Sequence, residues 1–165
     1  MAPKKDYFKS MGKGKIAGLR KITRNGYFQV FAVDQVGSFQ KAIKQELAKK
    51  KGVSDKQITE DEIIAVASPL KTQFAAIASR HVSAILLDTT PYGINGIPHV
   101  DKGTGLLLKL EASTSVTDKQ GNLIYFEPIA EGGEAREKSD AEYRQRVAKA
   151  FDYLRAKGAH AIKLL

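Results

Sequence analysis

An α/β protein, with parallel strands covered by helices, is the fold class this 165-residue chain predicts. Three observations carry that expectation. Short, near-continuous apolar runs ("YFQVFAV", "VSAILLD", "GLLLKLE" and "HAIKLL") recur along the chain. Unbroken apolar character, rather than strict alternation, marks strands buried on both faces, as parallel strands are. Between the runs lie longer segments whose apolar residues fall at helical spacing. Finally, the first three runs end in carboxylates: Asp34, Asp88 and Glu111. The pattern admits either a barrel or an open doubly wound sheet. The length suits one domain with a sizeable core, and no internal repeat or low-complexity linker divides it.

Each element has its own signals. Residues 1–6 read as a floppy basic start. From Tyr7 to Thr23 a helix is expected on the spacing of Phe8, Met11, Ile16, Leu19 and Ile22, despite three glycines that weaken it. Asn25-Gly26 is a turn signal, and "YFQVFAV" then reads as a buried strand rich in aromatic and β-branched residues. Ser38 opens a helix with Phe39, Ile43 and Leu47 on one face, stopped by Gly52 after a lysine-rich last turn that suits the helix dipole. Thr59 and Glu62 form a capping box for the next helix. Pro69 either kinks that helix or restarts it, and Leu70, Phe74, Ile77 and Ala78 carry its apolar face. "VSAILLD" and "GLLLKLE" are the second and third strands. "DKQGN" is a turn and "NLIYFEP" a short extended piece. Ser139 and Glu142 form another capping box, Tyr143, Val147, Phe151 and Leu154 line the helix that follows, and Gly158 ends it. "HAIKLL" is the fourth strand.

Composition narrows the function classes. There is no cysteine, so disulfides and thiolate metal sites are excluded and a reducing compartment fits. The longest apolar runs are too short for a membrane span or a signal-peptide core; a soluble, cytoplasmic protein with no membrane partner is expected. The formal net charge of +9 suits an anionic partner, nucleic acid or a phosphorylated small molecule, or else a solvated lysine surface. The lysines are dispersed and lack interleaved aromatics, which argues against a nucleic-acid platform.

The strand ends carry the chemistry. In both parallel architectures the working residues sit at the carboxyl ends of the strands. Asp34 and Gln35 end the first strand, Asp88 the second and Glu111 the third, while Lys163 lies inside the fourth. Cations there can hold phosphate or sugar hydroxyls, and carboxylates can move protons. The plainer reading makes Asp88 and Glu111 cap or turn residues, and lets Lys163 carry its ammonium to the surface along an apolar stem. Asp34 is the strongest candidate, because Gln35 and Gly37 accompany it and a helix starts at once. His81, His99 and His160 have no ligand spacing and read as surface or cap residues. Neither "GKGKIAG" nor "GTG" makes a nucleotide-binding loop, and no Gly-x-Ser-x-Gly elbow occurs.

These residues resemble a known family. "GYFQVFAVDQVGSFQKAI" resembles the first strand of the class I tagatose 1,6-bisphosphate aldolases, an apolar run, then Asp-Gln-Arg-Gly, then a helix. "SAILLDTTPYG", "DKGTGLLLKLE" and "RAKGAHAIKLL" are similar to their second, third and fourth strands. The resemblance implies a (β/α)₈ TIM barrel of which residues 1–165 supply about the first four strands, as the amino-terminal half of one barrel domain. It implies a metal-free, cofactor-free lyase that cleaves a ketose bisphosphate to dihydroxyacetone phosphate and glyceraldehyde 3-phosphate through a lysine imine. Carried over by motif, Asp34 and Lys163 would be catalytic, Asp34 ordering the substrate and assisting proton transfer, and Lys163 binding substrate and tuning the charge of the site. Gln35 and Asp88 would be substrate-binding residues.

Two departures stand out. Val36 occupies the place of the family arginine. The family's imine-forming lysine lies on strand six and its catalytic glutamate on strand five, beyond the four strands read here. A fragment or one piece of a split protein is therefore expected, inactive alone, with strands one and four as open edges that a missing half or a second copy would cover. The alternatives are a non-catalytic phosphosugar-binding or half-barrel assembly module and, more weakly, a nucleic-acid-binding basic protein.

Overall fold

Four parallel strands cross one sheet in the order in which they occur in the chain: β1 (Val30–Val33), β2 (Ala84–Leu87), β3 (Gly105–Lys109) and β4 (Ala161–Lys163). The computed structural model describes residues 11–110 and 140–163, the side chains of 140–147 excepted. The expected basic start, residues 7–10 of the first helix, Glu111, the "DKQGN" turn, "NLIYFEP" and the Ser139–Glu142 box lie outside the described residues. The helices are α1 (Lys13–Ile22), α2 (Gly37–Lys51), α3 (Glu60–Ala78), the single turn α4 (Pro91–Ile94) and α5 (Asp140–Ala156). No helix among the described residues is long and apolar enough to cross a membrane. The mixed α/β class with a parallel sheet is thus as the sequence predicts.

The punctuation falls where the residues dictate. Asn25 and Gly26 both take positive φ, 53° and 79°, in the turn that pairs Arg24 with Tyr27. Gly52 ends α2 in the left-handed region and bonds back to the Ala48 and Lys49 carbonyls. The Thr59 hydroxyl accepts the Glu62 amide while the Glu62 carboxylate accepts the Thr59 amide, so the capping box is complete. Pro69 neither breaks nor restarts α3, which is one 19-residue helix. Pro69 and Ala65 both lie on the exposed side, where water can serve the carbonyl that loses its partner.

Side-chain register sorts the sheet into two faces. Ile85 and Leu87 of β2 with Leu106 and Leu108 of β3 pack against Ala75 of α3 and Ala150 and Leu154 of α5. A second cluster joins α2 to α3 through Val36, Ile43, Ala48, Ile63 and Ala67, with Tyr92 of α4. Three sequence expectations need correcting. The "YFQVFAV" run is largely exposed, Tyr27 at 72% and Phe28 at 60%, because β1 is an edge strand paired only with β2 among the described residues. On α3 the inward face is Ile63, Ala67, Lys71 and Ala75, while Leu70, Phe74 and Ile77 face outward. Small alanines let the helix come close to its neighbours, and helical spacing alone suits either stripe. Phe151 is likewise exposed, while Ala150 and Leu154 fill the core.

The two ends of the sheet differ. At the amino end α1 lies against β3 and β4 so closely that a Cβ at Gly105 would come 2.7 Å from the Lys21 carbonyl, and one at Gly18 2.6 Å from the His160 carbonyl. The Ser83 hydroxyl ties that end together, accepting the Gln29 amide at 2.9 Å and donating to the Ile22 carbonyl at 2.8 Å. The carboxyl end carries the ionisable groups.

Candidate functional site

Register alone places a row of charges at the carboxyl end. Val33 pairs with Leu87, Leu87 with Leu108 and Lys109 with Lys163. The next residues in line are therefore Asp34, Asp88, Lys109 and Lys163, two carboxylates followed by two ammoniums. They resolve into two separate clusters.

The first cluster is open to a pocket. The Lys163 ammonium donates to Asp34 Oδ2 at 2.6 Å, joining β1 to β4 across 129 residues of chain. Three strand spacings of about 4.8 Å separate β1 from β4 by roughly 14 Å in a flat sheet. An aspartate and a lysine together do not reach that far, so the sheet curls toward the face these residues share. Lys109 Nζ stands 3.9 Å from the same Asp34 oxygen. The Asp34 and Lys109 side chains are 7% and 6% exposed, and Lys163 is 36% exposed at the rim. A pocket of about 310 Å³ lies among them, completed by Gln35, Val36, Gly37 and Ser38 at the start of α2. Gln35 is held by Ser38, whose hydroxyl donates to its Oε1 at 3.1 Å.

The second cluster is closed. Lys71 of α3 points inward and is almost wholly buried. Its ammonium donates to the Asp88 carboxylate, to the Val33 carbonyl at 2.8 Å and to the Gln35 carbonyl at 2.9 Å. The rings of Phe39 and Tyr92 each lie 5.1 Å from it. Burial lowers the Lys71 ammonium below its ordinary value of 10.5, against the opposing pull of Asp88. Burial, with Asp88 adding to it, pushes the Tyr92 phenol up. Asp88 also accepts the Thr90 amide at 3.0 Å and the Thr90 hydroxyl, which start the α4 turn.

The structure therefore brings Asp34, Gln35 and Lys163 together at one pocket and keeps Asp88 out of it. Asp88 is fully buried and engaged by Lys71 and Thr90, which is the cap-and-turn role its position allowed. Glu111 lies outside the described residues. Lys109 and Lys71 went unnoticed in the sequence. For Lys109 a signal existed: it occupies the same register position as Lys163. For Lys71 none did, since a lysine on an amphipathic helix reads as solvated. His160 also has a defined task at the amino end, where its Nδ1 accepts the Leu106 amide at 3.1 Å.

A larger cavity of about 660 Å³ opens between α1, α5 and β4, but its walls are mainly aliphatic and aromatic, among them Leu19, Ile22, Phe151 and Ile162. Converging polar groups, rather than size, mark the Asp34 pocket as the place for chemistry. Among the described residues no group of three or more histidine, aspartate or glutamate side chains is placed to hold a metal ion. The chain matches no protein-family model and no curated protein.

Proposed function

We propose that this chain carries the Asp34- and Lys163-bearing half of a Schiff-base aldolase site of the tagatose 1,6-bisphosphate type, on strands that belong to a (β/α)₈ barrel. The observation that carries the reading is the 2.6 Å contact between Asp34 and Lys163 at the carboxyl end of a curled parallel sheet. Strand order equal to chain order supports it, because a barrel is built by adding each βα unit beside the last. In this reading the substrate ketone and its neighbouring hydroxyl enter the Asp34 pocket. Lys163 neutralises charge on the substrate, Gln35 contacts it, and Asp34 accepts and returns a proton during carbon–carbon cleavage. The amine that attacks the ketone belongs to a sixth strand, which is not among the four described. Residues 1–165 are expected in the cytoplasm, with a phosphorylated ketose as ligand.

The test compares two ligands that differ only in the carbonyl. Dihydroxyacetone phosphate should bind at least tenfold more tightly than glycerol 3-phosphate, and Lys163→Met should weaken both. Equal affinity for the two would refute the reading. Borohydride treatment with tagatose 1,6-bisphosphate should leave the mass of the chain unchanged. A trapped adduct, or cleavage by this chain alone, would refute the assignment of the imine to a sixth strand.

A further inference from the structure

We infer that Lys109 and Lys163, together with the uncapped start of α2, form a seat for a phosphoryl oxyanion, and that Asp34 is the internal counter-ion which that ligand displaces. The proposal rests on the reading above in taking the Asp34 pocket as the ligand site, and adds which group of the ligand sits where.

Charge counting motivates it. The described residues of the pocket supply two ammoniums and one carboxylate. Asp34 hydrogen-bonds only one of them, Lys163. Lys109 is left at 3.9 Å, outside hydrogen-bond reach, although its side chain is 94% buried, and no hydrogen bond to its ammonium exists among the described residues. A buried ammonium without a hydrogen-bonding partner is unfavourable unless the space beside it takes an anion. The opposite wall makes the same demand. Helix α2 begins at Gly37 with no side-chain cap and no acidic residue in its first turn, so neither supplies an acceptor for its first amides or a charge for the positive end of its dipole. Gly37 and Ser38 line the same pocket as the two lysines. Both walls therefore ask for a compact ligand bearing several acceptor oxygens, which a phosphate monoester supplies to lysine ammoniums and helix amides alike. Among the described residues that line the pocket Asp34 is the one acidic side chain, and it repels such a ligand.

That arrangement gives a signature of opposite signs. Inorganic phosphate, titrated into the full chain and followed by amide NMR shifts, should perturb Gly37 and Ser38 first. Lys109→Met should weaken binding at least tenfold, and Lys109→Arg, which keeps the cation, should restore most of it. Asp34→Asn should tighten binding several-fold, since it removes the competing carboxylate and frees Lys163. Folding of each variant is checked on the same spectra, and Lys109→Arg with Asp34→Asn decides the matter if Lys109→Met does not fold. Phosphate affinity unmoved at Lys109→Met, or weakened by Asp34→Asn, overturns the proposal. The two readings fail separately. Phosphate binding with these signs but no preference for the ketone over glycerol 3-phosphate sinks the aldolase reading alone. A ketone preference without competition from phosphate sinks this one alone.

Discussion

Replacing Lys71 by methionine removes one partner of a fully buried ion pair and leaves the other in place. Asp88 keeps the Thr90 amide and hydroxyl but loses its counter-charge, with no exposure to water. Breaking a buried pair from one side costs about 3–5 kcal/mol. The Val33 and Gln35 carbonyls lose charge-assisted hydrogen bonds at the same time, which places the expected loss toward the upper end of that range. A natural domain has only about 5–15 kcal/mol of stability, so Lys71→Met should be close to unfolding. With a urea dependence of about 2 kcal/mol per molar, the midpoint should fall by roughly 1.5–2.5 M. A double-mutant cycle with Asp88→Asn isolates the pair and should return a coupling of at least about 1 kcal/mol. A loss below about 1 kcal/mol for Lys71→Met, or an additive cycle, would refute the view of Lys71 as the staple of the β1 and β2 ends. The same substitution should reach the pocket, because the two carbonyls that Lys71 holds flank Asp34 on either side.

Two further expectations concern other parts of the fold. Burial, and secondarily Lys21, hold the His160 imidazole below its ordinary 6.5, and its neutral Nδ1 accepts the Leu106 amide. The folded state thus binds fewer protons than the unfolded one below pH 6.5, so stability should fall as pH drops from about 6.5 toward the folded pKa; His160→Gln should lack that component in melts recorded across the window, and an identical pH dependence would contradict the assignment. A Cβ at Gly93 would press into the Asp88 carbonyl and carboxylate. Gly93→Ala should therefore cost about 1–3 kcal/mol by overpacking, read from denaturant midpoints, and a neutral result would show that α4 can shift away from Asp88 freely.

Much of this architecture could be read from residue order. The four strand runs, the Gly52 and Gly158 stops and the Thr59 box were legible because each depends on local chemistry: apolar periodicity, a left-handed glycine, a hydroxyl three residues before a carboxylate. Asp34 was legible because Gln35 and Gly37 accompany it and a helix starts at once. What escaped was set by tertiary position. The inward face of α3 depends on how closely the helix approaches its neighbours, and alanines permit that approach without advertising it. Lys71 as a core residue depends on two carbonyls and a carboxylate gathered from β1, β2 and the segment after β1. Exposure of β1 follows from its place at the sheet edge, which no property of "YFQVFAV" specifies. Lys109 was within reach, but only by aligning strands in register before asking which lysines share a row.

The contact between Asp34 and Lys163 has a consequence for assembly. Its partners stand 129 positions apart in the chain and on the first and last strands of the sheet. In the folded sheet it spans every intervening strand. Closing so long a loop costs entropy that only the completed sheet recovers. An anion settling between these strands would therefore engage the finished fold, and its binding would raise the free energy of unfolding by an amount that grows with the logarithm of its concentration over its Kd. For this protein, a rise in melting temperature with added ligand would report on the integrity of the whole sheet.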